Sequence, residues 1–283
     1  MSRANMFLIG SIVSLVMPAP LWSAAEEPGD SESVAAEERE ATSKMIEADL
    51  SRWKLWSDGA REHELKLESK PVLRWTNPGI GRVYGDVYIW TRNGRPEAVM
   101  SFYKGWQPKY DFTAEMHSLS LTEISAERDG VLVWRPQQAG ITLNIVPDAP
   151  KPAESAARRL QQMRELAGRF SARLVDRRVK REGERQELRL LTQPLYRYRS
   201  TDGELIDGSL FGIVLGTDPE VFLLLEAHQS GDSRSWQYGL ARMNIDPIAV
   251  TYNDKEVWRV EKAPYPGPID SPYRVVSQFR SAP

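Results

Sequence analysis

Residues 83–103 read VYGDVYIWTRNGRPEAVMSFY, and residues 206–226 read IDGSLFGIVLGTDPEVFLLLE. The first stretch is two strand-like runs around Asn93-Gly94, the dipeptide most typical of a two-residue hairpin turn. The second lies 123 positions later and repeats the pattern around Gly216-Thr217-Asp218-Pro219. Extended to Glu62–Tyr103 over Arg185–Glu226, the ungapped overlay holds eight identities in forty-two pairs, among them Arg74/Arg197, Gly85/Gly208 and Pro96-Glu97/Pro219-Glu220. Chance at ordinary composition gives about two or three. At an offset of 124, Val133-Trp134-Arg135 meets Val257-Trp258-Arg259. A tandem duplication is the expected cause.

Outward from the hairpins, each copy reads as a helix followed by a curved antiparallel meander of about five strands, an α+β chain of two related units. Helices are expected over Val34–Trp56 and Ala153–Val175. In the second, Leu160, Met163, Ala167, Phe170 and Leu174 share one helical face, with Ser155 or Glu154 as cap. Strands are expected at Glu64–Trp75, Phe112–Ile124, Trp236–Met243, Val131–Trp134 after the Asp129-Gly130 turn, and Val257–Val260. The expected division is a signal peptide over 1–25, an acidic leader over 26–33 and a first unit over 34–146. A proline-rich linker over 147–152, a second unit over 153–262 and an irregular proline-rich tail over 263–283 complete it.

Arg3, the short apolar run Met6–Met17 and the small residues Ser23-Ala24-Ala25 form a secretory signal, so the expected location is a bacterial periplasm or the outside of the cell. That apolar run is shorter than the roughly 20 residues a membrane span needs, so no stable span is expected after processing. The formal charge of −2 argues against nucleic acid as a partner. Without any cysteine, disulfides, lipid attachment and cysteine nucleophiles are excluded. Three histidines without metal-ligand spacing, and no serine-nucleophile or phosphate-loop motif, leave no catalytic residue, metal or cofactor to nominate.

Charge is divided between the expected helices. Residues 26–49 hold nine acids against two bases, and residues 158–185 ten bases against four acids. Such segments are two solvated faces, or surfaces that attract each other or an anionic envelope component.

Pairing the first hairpin about its turn places Tyr84, Asp86, Tyr88 and Trp90 on one face with Glu97, Val99, Ser101 and Tyr103. The corresponding face of the second hairpin is far more apolar. Tyr84, Asp86, Tyr88, Trp90, Glu97 and Tyr103, joined by His117, are therefore the expected ligand-binding residues on an open aromatic groove. The function expected is a secreted non-catalytic binding protein for a saccharide, another small planar molecule or an envelope component. The alternatives are an envelope hydrolase acting on a saccharide and a structural subunit of an exported assembly.

Overall fold

Asn93 (φ 50°) and Gly94 (φ 87°) both take the left-handed conformation, as do Asp129 (φ 54°) and Gly130 (φ 76°). Turns of this kind twist with the flanking strands, so tight hairpins form at both places. The computed structural model describes residues 28–58, 60–106, 112–175, 185–200 and 203–277; the signal segment lies outside them.

The first half holds α1 (Pro28–Leu50), β1 (Trp53–Trp56), β2 (Lys66–Leu67), β3 (Leu73–Thr76), β4 (Val83–Arg92), β5 (Arg95–Gly105), β6 (Thr113–Ser118), β7 (Ser125–Arg128) and β8 (Val131–Trp134). Next come β9 (Asn144–Ile145), α2 (Ala156–Ala167), β10 (Phe170–Val175), β11 (Arg185–Leu190) and β12 (Tyr196–Tyr198). The chain continues through β13 (Leu205–Leu215), β14 (Asp218–Ser230), β15 (Ser233–Arg242), β16 (Ile248–Tyr252), β17 (Lys255–Val260) and β18 (Tyr273–Ser277). All described ladders are antiparallel, and with two helices the architecture is α+β.

The strands build a sheet in the order β18-β6-β5-β4-β2 with β3 also on β4, a small sheet β1-β7-β8, and a long sheet β17-β16-β10-β11-β13-β14-β15-β9 with β12 on β13. Val87, Ile89 and Val99 of the first sheet share a core with Leu210, Phe222 and Leu224 of the long one. The other face of β4 and β5 packs on Ile46 and Leu50 of α1. Phe211, Ile213 and Leu223 pack on Met163 and Leu166 of α2. Helix, sheet, sheet and helix are thus stacked in four layers, and the two inner sheets bury both faces.

Both helices stop earlier than their spacing predicts. After Leu50 the chain turns into β1, where Trp53 and Leu55 are buried and Lys54 is exposed. After Gly168, Phe170, Ala172 and Leu174 alternate inward in β10. Phe170 and Leu174, four apart, satisfy a helical spacing and a two-residue alternation equally, so the helical pattern runs on past the end of α2. Ser155 caps α2 as expected, its side chain accepting from the Arg158 N–H at 3.3 Å. At the other end, α1 starts inside the expected leader, at Pro28, whose missing N–H is no loss in a first turn.

The C-terminal segment is not wholly irregular. Beyond its prolines, β18 pairs along β6 from Tyr273↔His117 to Ser277↔Thr113. Reciprocally, β9 leaves the first half and pairs with β15 at Gln237↔Ile145 and Tyr238↔Asn144. Each half therefore lends a strand to the sheet edge of the other, covering backbone groups that would otherwise lie open.

Candidate functional site

The register of the β4–β5 hairpin decides where the expected binding residues go. Arg92 pairs with Arg95 and Thr91 with Pro96, but Trp90 then pairs with Ala98, leaving Glu97 as an extra residue. This β-bulge shifts the register by one, and a one-residue slip moves a strand's side chains to its other face. Tyr84, Asp86, Tyr88 and Trp90 consequently share a face with Ala98, Met100 and Phe102, whereas Glu97 and Tyr103 face the second sheet.

The open aromatic groove does not form. Tyr88 and Trp90 are each 1% exposed in the core beneath α1. The Ser43 hydroxyl donates to the Asp86 carboxylate at 2.9 Å, and the Arg39 guanidinium lies 5.6 Å from the Tyr84 ring centre. Burial raises the Asp86 pKa, and burial together with Asp86 and Glu47 pushes the Tyr88 phenol up to about 12. These four residues dock a helix. Tyr103 packs on Trp75, ring centres 5.4 Å apart.

Glu97 joins a polar cluster sealed between the sheets. Arg95 donates to Glu97 at 3.1 Å and to Glu226 at 2.9 Å. Tyr198 and His228 also contact the Glu226 carboxylate, each at 2.9 Å. Burial opposes the Glu226 charge, but His228, Arg95 and Tyr198 outweigh it and its pKa is lowered. Burial raises the Glu97 pKa. Every member has a local partner, so the cluster reads as a clamp between the halves.

His117 stands apart from the other expected residues, on a cleft of about 610 Å³ where both exchanged segments cross β15 and β17. Tyr238, Arg242, Trp258, Glu261 and Tyr273 are among its walls. The His117 Nδ1 lies 2.8 Å from the Ser118 carbonyl oxygen. A carbonyl only accepts, so Nδ1 carries the proton and Nε2 presents a lone pair. Burial pushes the imidazole pKa down to about 4, so at neutral pH the ring is uncharged. Arg242 donates to the carbonyls of Asn244, Asp246 and Glu261 at 2.7, 2.8 and 2.7 Å, and lies 5.0 Å from the centre of the Tyr273 ring. The Tyr273 hydroxyl is hydrogen-bonded to Glu115. An aromatic wall, a neutral acceptor and a buried cation suit the binding of a small polar molecule.

Arg242, Tyr238, Trp258 and Tyr273 were missed as site residues because residues 139–144 and 261–273 complete the cleft only through the strand exchange. The Trp134/Trp258 identity was the one sequence signal pointing there. Among the described residues no group of three or more His, Asp or Glu side chains is arranged to hold a metal, and no helix is long and apolar enough to cross a membrane. No family model, curated protein or solved structure matches the chain.

Proposed function

We propose that this chain is an exported, non-catalytic binding protein of two tandem related units, with its ligand site in the cleft between β15, β17 and the exchanged segments. The duplication is supported by the pairing registers. Lys66↔Thr91, Trp75↔Gly85 and Trp90↔Ala98 recur 123 residues later as Arg189↔Val214, Tyr198↔Gly208 and Ile213↔Val221. The bulge recurs too, with Glu220 in the place of Glu97. Ala126↔Trp134 recurs 124 later as Val250↔Trp258.

Two copies of one scaffold supply an internal control, and the observation that carries the binding reading is the contrast between their tryptophans. Trp134 is fully buried and its indole N–H donates to the Ser271 carbonyl at 2.7 Å, whereas Trp258 is only partly buried and lines the cleft. At the same offset, His117 corresponds to Ala241 and Arg242 to Ser118. Residues with structural duties, such as Gly85/Gly208 and the bulge glutamates, are kept in both copies. His117 in one half and Arg242 in the other each lack a like residue at the matching position, which fits a site acquired after duplication.

The test is the indole N–H signal of Trp258, assigned with Trp258→Phe, during titration with a panel of sugars, aromatic acids and amines. Binding is expected to move it. If no compound moves it, the cleft is not the site. Export is tested separately by amino-terminal sequencing of native protein, expected to begin at Glu26; a start at Met1 or Ser2 would overturn it.

A further inference from the structure

Three arginines elsewhere in this protein are largely withdrawn from solvent and neutralised directly. Arg95 meets Glu226 at 2.9 Å, Arg128 meets Asp49 at 2.5 Å, and Arg159 meets Asp207 at 2.8 Å. Arg242 is as deeply buried, at 7% exposure, but among the described residues no carboxylate lies within 4 Å of it. Its hydrogen bonds go to three carbonyl oxygens. Backbone dipoles stabilise a cation without cancelling its charge, and burying an uncancelled charge is unfavourable. A guanidinium has five N–H groups, so two remain after those three bonds. Two acids lie near enough to favour its charge without pairing with it directly, Glu115, hydrogen-bonded by the Tyr273 hydroxyl, and Asp246.

His117 supplies the complementary half. With Nδ1 committed to the Ser118 carbonyl, Nε2 has no hydrogen-bond partner among the described residues although the side chain is 5% exposed. It can only accept, so it calls for a donor such as a hydroxyl. The Tyr273 ring lies against both groups, 6.1 Å from the His117 ring centre and 5.0 Å from the Arg242 guanidinium, and Trp258, Tyr238, Ile141 and Leu240 add ring and aliphatic surface to the same cleft. Of the charged residues that also line the cleft, Arg259 is paired with Glu256, which leaves Lys262 and Glu261 to balance each other.

We propose, building on the cleft as ligand site, that it recognises a small ring compound carrying both a carboxylate and a hydroxyl. The carboxylate takes the remaining N–H groups of Arg242, the hydroxyl donates to His117 Nε2, and the ring lies against Trp258. A charge-assisted, planar pairing of this kind is what guanidinium groups do best. A uronic-acid sugar and a hydroxylated aromatic acid share this chemistry, and the probes separate them.

Calorimetric titration of the whole mature chain with glucuronate and with 4-hydroxybenzoate, each beside its uncharged counterpart (glucose and 4-hydroxybenzamide), is the experiment. One acid is expected to bind at least about tenfold more tightly than its neutral partner, the value of one charge-assisted hydrogen bond. His117→Gln should weaken that acid by about tenfold, and Arg242→Lys should abolish the preference for the charged form. Arg242 also ties two loops together, so if its variant fails to fold, the acid-to-neutral ratio of the wild type and the His117→Gln effect decide. If neutral compounds bind as tightly as the acids and move the Trp258 signal, the cleft remains the site and carboxylate recognition is wrong. If no acid binds at millimolar concentration, carboxylate recognition is likewise wrong, and a silent Trp258 signal across the wider panel removes the cleft itself.

Discussion

Replacing His117 by glutamine removes a titrating group from a buried position and leaves a polar side chain of similar reach. In the folded protein burial holds the imidazole pKa at about 4, against 6.5 for an unhindered histidine. As pH falls below 6.5, the unfolded chain takes up a proton at this residue and the folded chain does not. Stability contributed by the neutral ring is therefore complete above 6.5 and is lost progressively as pH falls towards 4. The whole displacement corresponds to roughly 3 kcal/mol, from about 1.4 kcal/mol per pH unit. Groups around the ring, chiefly Arg242, Tyr273 and Glu115, are retained in the variant, so their own titration largely cancels between the two proteins. Urea unfolding of both, followed by tryptophan fluorescence at about pH 7 and about pH 4, measures the difference. The wild type is expected to lose roughly 3 kcal/mol more than His117→Gln over that interval. A stability gap that stays constant to within about 0.5 kcal/mol would mean the imidazole charges freely in the fold, and the reading of Nε2 as a neutral acceptor would fall with it.

A β-carbon added at Gly85 would sit 2.5 Å from Trp75 Cε2, and one at Gly208 2.4 Å from Tyr198 Cε2. Both rings are pinned, Trp75 Nε1 donating to Ser101 and the Tyr198 hydroxyl to Glu226, each at 2.9 Å. Gly85→Ala and Gly208→Ala should each destabilise by about 1–3 kcal/mol in urea titrations; a loss confined to one of them would break the parallel between the copies. Arg95→Met strands Glu226 between the sheets and is expected to cost about 3–5 kcal/mol at neutral pH, with part recovered in the Arg95→Met/Glu226→Leu double variant; no recovery would show that the carboxylate is not the problem. Ending the chain at Lys262 uncovers the edge of β6, so light scattering should show self-association that the full chain lacks; a monomeric truncate would deny β18 its covering role.

The elements legible in the sequence were those written in local chemistry. Asn93-Gly94 and Asp129-Gly130 mark turns that left-handed residues make, Ser155 caps α2, and Val131–Trp134 forms a strand directly after its turn. What stayed hidden were features that local chemistry does not encode. A strand that follows a helix directly, as β10 follows α2, inherits a spacing that suits both. The partners of β9 and β18 lie in the opposite half of the chain, where no pattern in Asn144-Ile145 or Tyr273–Ser277 points.

The bulge at Glu97 was the costliest omission, because one unpaired residue exchanged the two faces of the hairpin and turned an inferred binding surface into core. Its trace was present in the sequence as the Pro-Glu pair repeated in both copies. A proline cannot donate to a ladder, and a carboxylate found beside it in both hairpins needs a reason beyond solubility. That reason is geometric: Glu97 and Glu220 occupy the extra position where each hairpin twists. Residues shared between the halves report the scaffold, and residues that differ where the halves enclose a cleft report what that cleft does. His117 and Arg242 belong to the second set, and neither has a counterpart whose structural role would account for it.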